Sequence, residues 1–130
     1  MTRLYALLSF VLLGLPLCTG AQDVSREALA ARMASRQAPL LLDVRTPTEY
    51  AQGHLAGALN LPVDEVAARH GVLDIPRDRE VVVYCKSGKR AARARDTLQS
   101  LGYTRVRLLD GSADGWRADG RPLVAEHPSP

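Results

Sequence analysis

The chain has 130 residues, of which 46% are hydrophobic and 24% are charged, and its formal net charge at pH 7 is +3. This length and composition indicate one globular domain with a core of its own. The small net charge and the aromatic content of 5% argue against a nucleic-acid-binding protein, because such proteins need a basic stripe and aromatic side chains for base stacking.

The N-terminal segment, residues 1–21, has the pattern of a cleavable secretory signal peptide. Arg3 supplies a positive charge, an almost unbroken apolar run extends from Leu4 to Leu17, and small residues lead to a cleavage point after Ala21. We therefore predict a periplasmic or secreted protein that meets a membrane only through this segment. There are two alternatives. The apolar run could be retained as an anchor, although it is short for a membrane span, or Cys18 could be lipidated, which the large leucine before it disfavours.

The chain contains two cysteines, Cys18 and Cys85. Removal of residues 1–21 would leave only Cys85, and a chain with one thiol cannot form an internal disulfide even in an oxidising compartment. An unpaired thiol is a liability there unless the protein uses it. We therefore interpret Cys85 as a functional residue; the alternative is a buried structural cysteine at a strand end.

Segments with strand-like and helix-like patterns alternate over residues 22–124, which we assign to one domain, followed by a C-terminal tail over residues 125–130. Such alternation predicts an α/β fold in which helices flank a central parallel sheet of about five strands. From Arg121 onward, prolines and a lack of periodicity predict a loose tail.

In chain order, the predicted elements are an extended piece at 23–24, a helix over 26–36 capped by Ser25, a strand over 40–44, a short helix from Pro47 to Gln52, a strand over 58–61, a helix over 63–69, a strand over 81–84, a helix over 90–101, a strand over 105–109 and a short helix from Trp116.

The loop from Cys85 to Arg90 lies between a predicted strand and a predicted helix. The strand is a continuous apolar run of β-formers, Val81–Tyr84, which suits a parallel strand covered on both faces. Ligands bind at this edge of open α/β sheets, and the free N–H groups at a helix N-terminus favour anions. The position of the loop therefore predicts an anion-binding site beside the Cys85 thiol.

Three cationic side chains adjoin this thiol: both lysines of the chain, Lys86 and Lys89, and Arg90. Neighbouring cations and a helix N-terminus favour the thiolate, which is the nucleophilic form of cysteine. We therefore predict that Cys85 is a catalytic nucleophile. The rest of the loop is predicted to form the cradle that binds the substrate anion, through Lys86, Ser87, Gly88, Lys89 and Arg90.

Other polar residues are weaker candidates. Asp43 and Arg45 lie at a predicted strand end, but we favour an architectural role in which Asp43 braces a loop and Arg45 pairs with Glu49. His54 is a candidate base for Cys85, and a histidine hydrogen-bonded within a turn is the preferred interpretation, because a thiolate formed by the loop needs no base. The histidines and the cysteine show no metal-ligand spacing, so we predict no metal site.

A second loop, Asp110–Gly115, follows the last predicted strand and is therefore expected at the same sheet edge as Cys85. Trp116, directly after this loop, either walls the site or packs into the core, and the sequence supports both roles equally. His70 and His127 are expected to be solvent-exposed loop residues.

The Cys85 loop and two other blocks together resemble the rhodanese family. The blocks occur in the family's order and span about residues 24 to 124. The resemblance implies a rhodanese-like three-layer sandwich around a central parallel sheet, of the single-domain bacterial type. The sequence departs from the family at Ser112, where a second glycine is common. The blocks are Leu42–Arg45 with Glu49, Tyr50 and Gly53–Pro62, then Cys85–Arg90, then Leu109–Gly111 with Gly115 and Trp116.

The resemblance further implies a thiosulfate sulfurtransferase that works through a Cys85 persulfide and has no bound cofactor. Sulfur would pass from thiosulfate, or a similar small anionic donor, to cyanide or a thiol acceptor. We expect a monomer. One alternative is a persulfide carrier that hands sulfur to a partner protein. Another is a cysteine phosphatase or arsenate reductase, which is disfavoured because Arg90 follows Cys85 by only five positions and Tyr84 stands where those phosphatases have a histidine.

Overall fold

The computed structural model describes residues 23–125. The predicted signal peptide over residues 1–21 and all but the first residue of the predicted tail over 125–130 lie outside the described residues. Among residues 23–125, no helix is both long enough and apolar enough to cross a membrane. The helices and strands are α1 (Arg26–Ala34), β1 (Leu40–Asp43), α2 (Pro47–Gln52), β2 (Leu59–Asn60), α3 (Val66–Arg69), β3 (Val81–Tyr84), α4 (Lys89–Ser100), β4 (Val106–Leu108) and α5 (Ser112–Ala118).

The strands form one parallel sheet in the order β2-β1-β3-β4. In this register, Leu42 of β1 lies opposite Val83 of β3, and Val83 lies opposite Leu108 of β4. The central strand β3 is buried along its whole length, as expected for an apolar run in a parallel sheet with both faces covered. The α/β prediction is therefore confirmed.

The sheet has four strands rather than the predicted number of about five. Val24 forms only an isolated parallel bridge with Leu109. Its N–H donates to the carbonyl of Leu108 at 2.8 Å, and its own carbonyl accepts the Asp110 N–H at 2.9 Å. Pairing stops there because the next residue, Ser25, already caps α1 by accepting the Ala28 N–H at 3.1 Å.

The sheet separates two hydrophobic clusters, because alternate strand side chains point to opposite faces. On one face, Leu42 and Val83 pack with residues of α3 and α4, including Leu98. On the other face, Leu41 and Val82 pack with residues of α1 and α5. Helices thus cover both faces of the sheet, which is the predicted three-layer arrangement.

Two predicted helices differ in detail from the structure. The first ends at Ala34 rather than at residue 36, because the backbone of Arg36 is left-handed, with φ 59°, and cannot continue an α-helix. The helix predicted over residues 63–69 begins as the 3₁₀ turn Val63–Glu65 and becomes α-helical only over Val66–Arg69. A second 3₁₀ turn then covers His70–Leu73.

The prediction of a loose tail from Arg121 is wrong for residues 121–124. His54 and Val124 exchange two backbone hydrogen bonds, each of 2.9 Å. Trp116 also holds this segment, because its indole N–H donates to the carbonyl of Pro122 at 3.0 Å. The indole lies within the hydrophobic cluster on the α1 and α5 face, so its role in the structure is packing.

Candidate active site

The Cys85 loop connects the C-terminal end of β3 to the N-terminus of α4, as predicted. Gly88 is the N-cap of α4 and has a backbone φ of 121°, which only glycine adopts readily. In this conformation the Gly88 N–H donates to Cys85 Sγ at 3.0 Å. No side chain caps α4, so the positive end of the helix faces the loop. The loop is therefore built to stabilise negative charge on the Cys85 sulfur.

The second loop, between β4 and α5, holds the backbone of the Cys85 loop. The Cys85 N–H donates to Ser112 Oγ at 3.3 Å. The Cys85 carbonyl accepts the Ala113 N–H at 3.0 Å, and the Lys86 carbonyl accepts the Asp114 N–H at 3.0 Å. Three successive residues of one loop thus bind two successive residues of the other, as expected when neighbouring parallel strands end at one sheet edge.

Ser112, which stands where the sequence pattern commonly has a glycine, has a left-handed backbone. Its φ is 51°, and the preceding Gly111 has φ 74°. A left-handed backbone costs a non-glycine residue about 1 kcal/mol. The serine therefore preserves the shape of the loop at the expense of some strain, and its side chain is 1% exposed.

Arg90 pairs with Glu49, a residue that the sequence analysis had paired with Arg45 instead. Its two terminal nitrogens lie 2.7 and 3.0 Å from the two Glu49 oxygens. This hydrogen bonding lowers the pKa of Glu49 to about 2. It also raises the pKa of Arg90 above its usual value, and the adjacent Cys85 side chain adds to that shift. Arg90 therefore lies between a carboxylate and the thiol.

The remaining predicted cradle residues lie at the rim of the site. Lys86 Nζ is 3.0 Å from Asp114 Oδ2, with both side chains largely exposed. Ser87 and Lys89 are exposed, and no ion pair among residues 23–125 involves Lys89. The structure thus places Gly88 and Arg90 against the thiol, whereas the two lysines border it.

Asp43 and Arg45 form a buried brace below the site. Arg45 Nη2 lies 2.6 Å from Asp43 Oδ2 and also donates to the Gly53 carbonyl at 2.7 Å. Asp43 additionally accepts the backbone N–H of Arg45 at 3.0 Å. The architectural role is consistent with these contacts, but the predicted pairing of Arg45 with Glu49 is wrong, because Glu49 faces Arg90 instead.

Two histidines have partners away from the thiol. His54 Nδ1 lies 2.8 Å from the Tyr50 carbonyl, and the two rings stack at 3.7 Å, so the preferred interpretation of a turn histidine is confirmed. His70 is half-buried, with Nδ1 at 3.0 Å from the Tyr103 hydroxyl, so its predicted exposure is wrong. His127 lies outside the described residues. Within residues 23–125, no three His, Cys, Asp or Glu side chains cluster in a way that could hold a metal ion.

A surface groove of about 540 Å³ lies away from the thiol. Its lining includes Glu80 and Arg105, which precede β3 and β4, so the groove lies at the opposite edge of the sheet from Cys85. Arg32, which also lines the groove, makes two hydrogen bonds to Glu80, at 2.8 and 3.0 Å. The position of Cys85, rather than the volume of this groove, locates the candidate site.

Sequence reasoning missed Glu49, Ser112 and Asp114 as parts of the site. Each follows the C-terminal end of a strand that neighbours β3, and that position is the signal that could have identified them. Each one contacts a residue of the Cys85 loop: Glu49 contacts Arg90, Ser112 contacts Cys85, and Asp114 contacts Lys86.

Comparison with known proteins gives one consistent answer. Residues 25–119 match the model of the rhodanese-like domain. A sulfurtransferase of Allochromatium vinosum is 42% identical over 103 residues, covering 79% of this chain and 94% of that protein. The thiosulfate sulfurtransferase PspE of Escherichia coli is 37% identical over 73 residues, covering 56% of this chain and 70% of that protein. Among solved structures, the human single-domain sulfurtransferase TSTD1 superimposes with a TM-score of 0.67 at 34% identity, covering 76% of this chain and 97% of that one.

Proposed function

The chain belongs to the rhodanese-like domain family, and from this premise we propose that it is a thiosulfate sulfurtransferase that carries sulfur on Cys85. Its relatives support a sulfurtransferase activity. The single observation that carries the finer proposal is the contact of 3.0 Å between the Gly88 N–H and Cys85 Sγ at the N-terminus of α4. A sulfur atom in that position is stabilised as an anion both before and after it accepts a second sulfur.

In the first half-reaction, the Cys85 thiolate attacks the outer sulfur of thiosulfate. A new bond forms between Sγ and that sulfur. The sulfur–sulfur bond of thiosulfate breaks, and its electron pair leaves with sulfite. The products are a Cys85 persulfide anion and sulfite dianion, so the total charge is unchanged. This is covalent catalysis with the enzyme as a temporary sulfur carrier.

In the second half-reaction, an acceptor removes the outer sulfur from the persulfide. Cyanide forms a carbon–sulfur bond and leaves as thiocyanate, while the electron pair of the persulfide bond returns to Sγ. A thiol acceptor in its thiolate form takes the same sulfur and becomes a persulfide itself. Either route restores the Cys85 thiolate without a bound cofactor or metal.

The cations of the loop suit the sulfonate end of the donor. Arg90 presents a planar guanidinium beside the thiol, and Lys86 and Lys89 add charge at the rim. Glu49 and Asp114 already contact Arg90 and Lys86. A donor anion therefore has to displace these carboxylates in order to bind the two cations. Arg90 is the stronger determinant of donor binding, since its fork can bind two oxygens at once.

We also propose that the protein acts in the periplasm or outside the cell, after cleavage behind Ala21. This rests on the apolar pattern of residues 1–21. N-terminal sequencing of protein recovered from the extracytoplasmic fraction should begin at Gln22. A start at Met1 would favour the retained anchor, and a lipid-modified Cys18 would favour the lipoprotein.

The decisive test of the activity is the intact mass of the purified protein before and after thiosulfate. The wild type should gain one sulfur atom and lose it when cyanide is added, while the Cys85→Ser control should stay unchanged. A wild type that gains no mass contradicts the proposal. The persulfide could also form but be discharged only by a protein partner, and by neither cyanide nor small thiols. That result would favour a sulfur carrier over an enzyme.

A further inference from the structure

Ser112 is the only residue whose side chain makes a described hydrogen bond to the backbone N–H of Cys85. The two residues are 27 positions apart in the chain, and Ser112 is 1% exposed. The strand pairing between β3 and β4 ends before Cys85, since their register stops at Val83 and Leu108. The hydroxyl therefore satisfies a buried N–H that the sheet no longer pairs.

With this hydrogen bond, the backbone of Cys85 is held on both sides of its Cα atom. The neighbouring Ala113 N–H binds the Cys85 carbonyl at 3.0 Å, so consecutive residues hold the N–H and the carbonyl of the same residue. A side chain whose backbone is fixed at both ends has its Cα–Cβ direction fixed as well. The only remaining freedom of the thiol is rotation about χ1, and the Gly88 N–H at 3.0 Å selects one position of Sγ.

The conformation of Ser112 shows that its hydroxyl and its backbone can be separated by experiment. The left-handed φ of 51° suits glycine better than serine, so the backbone alone does not call for a hydroxyl here. The bonds donated by Ala113 and Asp114 come from the backbone, and they would survive a change of the side chain at position 112. Only the bond to the Cys85 N–H needs the serine.

We propose that Ser112 is a positioning residue, whose hydroxyl holds the Cys85 backbone so that the thiolate points toward the attacked sulfur. This proposal rests on the proposed sulfur transfer, since it concerns the same thiolate. It predicts an effect on the rate of attack rather than on donor binding, because the described contacts of Ser112 involve Cys85 and none of the loop cations. Small errors in the placement of a reacting group reduce rates strongly.

The test compares Ser112→Ala and Ser112→Gly in single-turnover persulfide formation with thiosulfate, followed by rapid quenching and intact mass. Both variants should reduce the limiting rate by about tenfold, with the half-saturating thiosulfate concentration within about twofold of the wild type. Their thermal stabilities should differ: Ser112→Gly should be more stable than Ser112→Ala, because glycine relieves the left-handed strain that alanine keeps. If both variants lose the same fraction of the limiting rate despite their different stabilities, the loss comes from the missing hydroxyl, which supports the positioning role.

Asp74→Gly provides a matched control. Asp74 is also a non-glycine residue with a left-handed backbone, φ 47°, and it is exposed in a turn remote from Cys85. This variant should gain stability like Ser112→Gly while its persulfide rate remains that of the wild type. A Ser112→Gly enzyme with the wild-type limiting rate would overturn the proposal, as would a loss seen only in the less stable alanine variant.

A second readout does not depend on sulfur transfer. Amide hydrogen exchange of Cys85, followed by NMR, should become about tenfold faster in Ser112→Gly because the N–H loses its acceptor. If the wild type takes no sulfur from thiosulfate, the proposed function fails, and exchange at Cys85 together with its alkylation rate by iodoacetamide still decides the role of Ser112. Unchanged exchange and alkylation in both variants would refute the positioning role.

Discussion

Two arginine–carboxylate pairs lie near the Cys85 loop, and they differ mainly in their access to water. Arg45 and Asp43 approach to 2.6 Å with side chains 2% and 0% exposed. Arg90 and Glu49 approach to 2.7 Å with side chains 30% and 29% exposed. The chemistry and the distances are nearly the same, so burial is the variable that separates them.

Burial determines what each pair can do. Desolvation opposes the charge on Arg45, but the hydrogen bonds and the electrostatic attraction that link it to Asp43, with smaller electrostatic contributions from other neighbours, together outweigh that opposition, and the pKa of Arg45 is raised. No anion from solution can replace a carboxylate that lies inside the core, so this pair is architecture. Arg90 retains solvent access and borders a thiol, so an anion from solution can compete with Glu49 for its hydrogen bonds.

The largest effect on stability is expected from Arg45→Met. The change leaves the Asp43 carboxylate buried without its counter-ion, and we expect a loss of about 3–5 kcal/mol in the free energy of unfolding. Urea unfolding followed by circular dichroism measures this difference. As a control, Arg45→Met combined with Asp43→Leu removes the stranded charge and should recover part of the loss. If the free energy of unfolding of Arg45→Met lies within about 1 kcal/mol of the wild-type value, burial does not explain the difference between the two ion pairs.

Arg90→Met is expected to behave in the opposite way to Arg45→Met. It should change the free energy of unfolding little and the rate of persulfide formation strongly. A half-exposed ion pair contributes at most about 1 kcal/mol to folding. Loss of the guanidinium beside the thiolate should slow persulfide formation about a hundredfold, measured in single turnovers with thiosulfate. Arg93→Met, on the exposed face of the same helix, is the matched control and should keep the wild-type rate. If both variants are equally active, Arg90 has no part in the reaction.

The smallest effect is a pH dependence carried by Glu49. Its pKa is lowered from 4.5 to about 2 in the folded protein by the hydrogen bond with Arg90. A lowered carboxylate pKa adds stability that is fully present above pH 4.5 and is lost as the pH falls through 2. The wild type should therefore exceed Glu49→Gln by about 1 kcal/mol at neutral pH, with the gap closing between pH 4.5 and 2. Urea unfolding across this range tests the sign, and a gap that widens on acidification would contradict it.

The features that the sequence predicts well depend on neighbours within a few residues. The buried run of β3, the short helix from Pro47 to Gln52 and the strand–loop–helix context of Cys85 are all local patterns, and the structure contains each of them. The number of strands was overestimated because the extended residue Val24 resembles part of a strand until its pairing is known.

The features that the sequence could not supply depend on contacts between distant segments. Glu49 was paired with the nearby Arg45, whereas its partner in the structure, Arg90, is 41 positions away in the chain. The hydrogen bond between Ser112 and Cys85 spans 27 positions. Both pairs form because parallel strands end side by side, which requires the strand order and not just the strand positions.

The place of Trp116 gives the molecule an internal optical probe. It is the only tryptophan of the chain, and it belongs to α5, the helix that begins at Ser112. Its indole is buried and anchored to the Pro122 carbonyl at 3.0 Å. A movement of the second loop during the proposed sulfur transfer would therefore change the surroundings of the indole. The intrinsic fluorescence of the unlabelled protein therefore reports on the environment of the helix that follows the second loop.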